Sequence, residues 1–322
     1  MTVKNQIRRI LTGLTIPQEY VCLNSQELQS PLSVFLSLEN SKLNVTASHL
    51  FLGYKPLILA LCFKVNDQSY QPVKKQNQIT LHFENSEPIR PMGLATLVLK
   101  KVGEKILGED AVLFYDGTHG EHSFLNSIHQ KINQQREKWR KQSANNVGLP
   151  GNLIEQVRIA YSIPRMISII SVSDGNLMNM FPTDLHGPIG EKFYAGSLRL
   201  GGLANDQVEK YKQIVISEVE PSFYKHAYAL GKNHMKELQK ESEFPLHLTR
   251  SKSLNFLLPA AVVSNRELKR INSLDVGIHR IHLYEIILRD ILQENQSSLT
   301  HIHQYYAQWR LDHGLSTPML LR

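Results

Sequence analysis

Short runs of apolar residues, broken by polar turns, dominate the first 120 positions. Pro31 to Leu38 is apolar and β-compatible, followed by a polar turn, Glu39 to Lys42, and by Leu43 to Phe51. The run Pro56 to Val65 has the length and apolarity of a buried strand. Gln78 to Phe83 alternates through Ile79, Leu81 and Phe83, the period of a half-buried strand. Leu94 to Val102 and Ala111 to Tyr115 predict two more short elements, and Ile7, Ile10, Leu11 and Leu14 a short opening helix. Phe124, Leu125, Ile128 and Ile132 fall at helical spacing. Lys131, Arg136, Lys138, Arg140 and Lys141 follow, so an amphipathic helix with a basic outer face is expected.

Gln142 to Asn152 is polar and rich in Asn, Gly and Pro, the composition of a linker. It divides the chain into an N-terminal β-rich domain, residues 1–146, and a second domain, residues 147–322. The length of 322 residues agrees with about two domains. Beyond the linker, Leu153 to Tyr161 predicts a helix and Arg165 to Val172 a strand. A turn at Ser173 to Asn176 leads into Leu177 to Phe181, and Lys192 to Leu200 is another strand. A helix over Asn205 to Lys212 precedes a strand over Ile214 to Val219. Tyr224 to Leu238 carries helical spacing, Leu254 to Ser264 and Gly277 to Ile287 read as strands, and Ser298 to Leu311 reads as a terminal helix. Many strands with few helices make the chain mainly β with peripheral helices, an α+β protein closer to a barrel than to a βαβ sheet. The two halves also echo one another. Pro31 to Leu38 with Leu43 to Val45 matches Pro164 to Val172 with Leu177 to Met180, and each is followed by a Gly-containing loop and a further strand, at Pro56 and at Lys192.

Composition narrows the function. No apolar run approaches the roughly 18 residues of a membrane span, so no membrane partner is expected. Met1 to Thr12 is basic and has no signal-peptide pattern. Two cysteines, Cys22 and Cys62, cannot build a disulfide framework or a Cys-x-x-Cys site, so a cytoplasmic protein with reduced thiols is expected. The charge is +7, with 17 basic against 12 acidic residues up to residue 150 and 19 against 17 beyond it. The basic helix reads as a solvated face, and nucleic acid is not the expected partner. Neither a G-x-G-x-x-G nor a Walker pattern occurs, and no G-x-S-x-G elbow offers acyl transfer. Asp116 to His122 packs two histidines and two carboxylates around two glycines, which predict a loop, and His301, His303 and His313 form a second loose group. A loop is not the scaffold that holds ligand geometry, the C-terminal group lacks a helical i, i+4 pair, and no metal is expected.

From Pro164 onward the sequence resembles the flavin reductase-like family. Pro164 to Val172 looks like that family's opening strand, Asp174 to Thr183 its hairpin, and Phe193 to Arg199 its next core strand. Asn205 to Lys210 with Gln213 to Ser217 is similar to the following helix and strand, and Gly277-Ile278-His279 to a late Gly-x-His. The resemblance covers about residues 150–290. It implies an FMN-binding split β-barrel over 147–322; the echo between the halves leaves two readings of the N-terminal β-rich domain open, a second, degenerate barrel or not a barrel. The implied activity is electron transfer from NAD(P)H to a flavin, with FMN as cofactor and the nicotinamide as transient substrate. The FMN pocket of such a protein lies between two barrels, which implies a homodimer or an internal pseudo-dimer. The cofactor-binding residues carried over are Asn179, Thr183, Ser197, Arg199, Asn205 and His279. Hydride transfer needs no side-chain acid or base, so no catalytic residue is named. Gly201-Gly202 suits close backbone approach to a phosphate. Phe181 and Pro182 depart from the family's hydroxyl-rich run, and Pro182 removes an amide donor. The rival reading is a non-catalytic binding or interaction protein with a degraded flavin site, in which Arg199 pairs with Glu209.

Overall fold

The computed structural model describes residues 3–38, 41–85, 93–139, 147–315 and 318–320. The first half contains α1 (Val3–Thr12), β1 (Tyr20–Asn24), β2 (Leu32–Leu38), β3 (Ser41–Asn44), β4 (His49–Tyr54), β5 (Leu57–Lys64), α2 (Tyr70–Lys74), β6 (Gln78–Asn85), β7 (Gly93–Leu107), β8 (Asp110–His122) and α3 (Ser127–Trp139). The second contains α4 (Leu153–Ala160), β9 (Arg165–Met166), β10 (Ser168–Ser173), β11 (Met178–Thr183), β12 (His186–Ile189), β13 (Phe193–Arg199), α5 (Leu203–Tyr211), β14 (Gln213–Val219), α6 (Tyr224–Leu230), β15 (Leu246–Arg250), β16 (Leu257–Pro259), β17 (Val262–Val276), β18 (His279–Ile291), β19 (Leu299–His303), α7 (Gln304–Asp312) and β20 (Met319–Leu320). The chain is therefore mainly β with peripheral helices, as its patterning predicts.

The internal echo marks equivalent strands. One seven-stranded sheet has the order β3-β2-β6-β7-β8-β5-β4, the other β11-β10-β14-β17-β18-β13-β12. Numbered from the first strand of each, both orders read 2-1-5-6-7-4-3. The match extends to register: Lys64 lies opposite Asp110 at the end of the β5–β8 ladder, as Arg199 lies opposite His279 at the end of β13–β18. The two sheets meet through Leu50, Ile58, Ala60 and Phe114 on one side and Ile189, Ala195, Ile281 and Leu283 on the other, all buried. Their turns pack reciprocally. The β4–β5 turn seats on the β17–β18 turn, where Ile278 N donates to Lys55 O at 3.1 Å. The β12–β13 turn at Gly190 lies against Asp110, at the β7–β8 turn.

The chain also crosses its midpoint. A small sheet of order β20-β1-β19-β9 joins strands from both ends, and α4 packs on β8. One apolar core contains Phe51, Leu59 and Leu113 together with Ile159, Ile302 and Trp309. Of the expected linker Gln142–Asn152, residues 142–146 lie outside the described residues.

Several expectations are corrected. Asp116 to His122 is strand, not loop: Gly117 and Gly120 lie directly under Gln156 of α4, and a Cβ at Gly117 would overlap Gln156 and Leu57. His122 is spent on Glu155, 2.8 Å away. The elements expected at Leu94 to Val102 and Ala111 to Tyr115 are the long hairpin β7–β8. Leu43 to Phe51 splits into β3 and β4 around a turn. The run expected from Leu254 is the short β16 and the long β17. Helical spacing from Tyr224 stops at Leu230, after which Gly231–Met235 is a 3-10 turn. The terminal helix begins only at Gln304, because Leu299–His303 is taken up as a strand beside β1. In α3 the apolar positions are reversed: Ile128 and Ile132 face water, and Asn133 is buried, donating to Thr12 O at 2.8 Å.

Candidate functional site

Strand alternation places Ser197 and Arg199 on one face of β13, beside His279 of the neighbouring strand. Ser197 Oγ lies 3.4 Å from His279 Nδ1. Across the inter-sheet junction, Tyr54 N donates to His279 Nε2 at 3.4 Å. Nε2 is therefore the acceptor nitrogen, and Nδ1–H points at Ser197. The Tyr54 ring stands edge-on to the imidazole, centroids 4.5 Å apart. Burial, then the Arg199 charge, lowers the His279 pKa to about 4, with Asp184 acting in the opposite direction. His279 is thus neutral at pH 7. Arg199 is solvent-facing and has no ion-pair partner among the described residues. The alternative pairing with Glu209 does not form, because Glu209 is taken by Arg270 at 2.9 Å and Arg280 at 3.6 Å.

Tyr54 also borders a cleft of about 960 Å³, together with Lys55, Tyr20, Tyr161, Asp184 and His301, and with residues 147–152 along one rim. Its polar centre is Asp184, which follows Thr183 at the end of β11. Asp184 Oδ2 accepts from Tyr161 OH and from His301 Nε2, both at 2.8 Å. His301 Nδ1 lies 3.3 Å from Tyr228 OH, and Tyr20 stacks on the imidazole at 5.2 Å. Burial pushes the Asp184 pKa up, but the His301 hydrogen bond and charge, with the Tyr161 hydroxyl, outweigh it and hold the carboxyl at about 2. Burial raises the Tyr20 and Tyr161 phenols well above their usual range. The cleft therefore offers protonated phenols, an ionised carboxylate and, at Lys55, a cation.

Asp184→Asn is expected to remove about 2 kcal/mol of stability at pH 7. The folded-state pKa lies below that of a free carboxyl. Its stabilisation is thus present above about pH 4 and lost as the pH falls toward 2. Urea titrations of both proteins at pH 7 check this: a variant as stable as the parent would remove the ionised carboxylate as a stabilising group.

The six residues expected from the sequence divide into two groups. Ser197, Arg199 and His279 come together at the junction, and Thr183 adjoins Asp184. Asn179 and Asn205 hydrogen-bond to neighbouring protein groups. Asn179 Nδ2 donates to Gln207 Oε1 at 2.8 Å and to the carbonyls of Asn233 and Lys236 at 3.0 and 3.3 Å. Asn205 Oδ1 lies 3.1 Å from His282 Nε2. The 3-10 turn Gly231–Met235 covers the hairpin: His234 Nε2 reaches Pro182 O at 2.8 Å, and Asn233 Nδ2 donates to Met180 O at 2.9 Å. Sequence reasoning missed Tyr54, Lys55, Tyr161, Asp184 and His301. Two signals were present: Asp184 directly follows Thr183, and His301 belongs to the group set aside as a failed metal site.

No family model matches the chain, and no curated protein matches it. Among solved structures it is similar to an FMN-binding protein from Thermus thermophilus, at 14% identity over 48% of this chain and 82% of that one, with a TM-score of 0.38. It is also similar to the NADH:FAD oxidoreductase SgcE6 of Streptomyces globisporus C-1027, at 13% identity over 51% and 96%, TM-score 0.41. A third likeness is to the flavin reductase PheA2, at 8% identity over 52% and 97%, TM-score 0.38.

Proposed function

We propose that the chain is a flavin reductase-like protein that binds FMN at the junction of its two sheets and takes electrons from NAD(P)H. The observation that carries this reading is Arg199. It is a cation without a carboxylate partner among the described residues, set beside a neutral His279 and the Tyr54–Lys55 turn of the opposite half. Arg199 and Lys55 fit a phosphate by charge-assisted hydrogen bonding. Tyr54 and Tyr20 offer aromatic surface to a ring system. The flavin supplies the two-electron chemistry when bound. The protein's part is to hold the phosphate and orient the ring. We read each seven-stranded half as one barrel of a split-barrel pair, so that a single chain brings together what two chains would otherwise supply.

A specific observation favours the second reading, a binding module with a degraded flavin site. The amide of Asn179 and the carbonyl of Pro182 are both taken by the Gly231–Met235 turn and the residue after it, which withdraws the hairpin face from a ligand. Titration of the purified chain with FMN and riboflavin separates the two. The first reading expects quenching of flavin fluorescence and tighter binding of FMN. Arg199→Ala should weaken FMN by about ten- to a hundredfold and riboflavin little, because a hydrogen bond to a charged group contributes about 1.5–3 kcal/mol. Equal changes for the two flavins would remove Arg199 from the site. No binding of either would leave the second reading.

A further inference from the structure

We propose that α1 and α3 form a docking surface for an anionic phospholipid membrane. The two helices pack against one another: His129 lies under Gly13, and Asn133 holds the end of α1. Both turn their apolar stripes to water. On α1, Ile7, Ile10 and Leu11 are 54%, 75% and 56% exposed, although their spacing is that of a core-facing stripe. On α3, Ile128, Ile132 and Trp139 occupy i, i+4 and i+11 and so share one face; Ile128 and Trp139 are 68% and 74% exposed. Each helix carries three cations, and the only carboxylate within the two is Glu137. Between them lies a cavity of about 490 Å³ lined by Arg8, Arg136 and Trp139. Neither arginine has an ion-pair partner among the described residues. Glu19 and Glu137 line it too, and the Arg158 guanidinium lies over the Tyr305 ring at 4.2 Å.

Charge and apolarity together select the occupant. A second copy would bring two cationic faces into contact, which repel. A nucleic acid would satisfy the cations and leave the isoleucines and the tryptophan wet. An anionic bilayer surface accepts both, with phosphates for the arginines, an acyl boundary for the aliphatic stripe, and an interfacial level that suits tryptophan. That no helix among the described residues is long and apolar enough to span a membrane does not bear on such contact, since a helix lying on the surface need not span it.

The test is co-sedimentation of the full chain with phosphatidylcholine vesicles containing about a quarter phosphatidylserine, against phosphatidylcholine alone. Binding is expected to the anionic vesicles only and to weaken with salt. Arg8→Gln with Arg136→Gln should lower it roughly fivefold per cation removed. Ile10→Glu with Trp139→Glu should abolish it while the circular dichroism stays that of the parent. No binding to anionic vesicles would overturn the proposal, as would binding that ignores both pairs of substitutions. A concentration-dependent dimer dissolved by the second pair, or duplex DNA retained more tightly than vesicles, would assign the surface to another partner.

Discussion

Lowering the pH from 7 to 5 is expected to unfold this protein. Burial, the largest cause in each case, lowers His49 and His282 to about 3, His186 and His279 to about 4, and His303 well below its usual value. The unfolded chain takes up these protons near pH 6.5, whereas the folded chain resists them. For a histidine depressed in this way, stability is fully present above about pH 6.5 and is lost as the pH falls toward the folded value. One such group costs about 2 kcal/mol by pH 5, and five acting together rival the whole 5–15 kcal/mol that holds a typical domain folded. The depressed carboxylates of Asp184, Glu104 and Glu155 act later, below about pH 4.5. The raised Asp116 carboxyl works in the opposite sense, also near pH 4. Tryptophan fluorescence and far-ultraviolet dichroism against pH should show a cooperative transition centred near pH 5. Native signals persisting to pH 4 would mean that these histidines are hydrated.

Gly277→Ala is expected to cost about 3 kcal/mol and to disable the site at the same time. Gly277 has φ +59°, and its Cα faces the β4–β5 turn so closely that a Cβ would overlap Lys55 O and Pro56 Cδ. Left-handed strain adds to a clash with backbone that has no rotamer to escape into. Relief requires the turn to move, and that turn carries Tyr54 and Lys55, so the Tyr54 N bond to His279 opens. Thermal melts and ligand titration of the same preparation check both halves of the expectation. A variant that melts with the parent would show that the two turns are not in firm contact. A variant that melts early but binds unchanged would separate the turn from the site.

The sequence alone determined the fold class, most strand positions and the repetition of one strand plan. These follow from local rules: side chains of period two mark half-buried strands such as β6, and unbroken apolar runs such as β5 mark strands buried on both faces. Family resemblance brought forward Ser197, Arg199 and His279, which lie side by side on neighbouring strands. Tertiary structure alone decided the rest. Gly117 and Gly120 look like turn residues, yet they are strand positions made small by a crossing helix, which no local pattern encodes. Asn179 and Asn205 have the chemistry of ligands but found protein partners first, since a buried amide takes whichever acceptor packing brings within reach. Ile128 and Ile132 have the spacing of a buried face, but which face of a helix is buried depends on what packs against it, and there Asn133 met the end of α1. Asp184, Tyr161 and His301 are 23 and 117 residues apart along the chain from the carboxylate outward, and they become one hydrogen-bonded unit only when β19 crosses back to pair with β1 and β9.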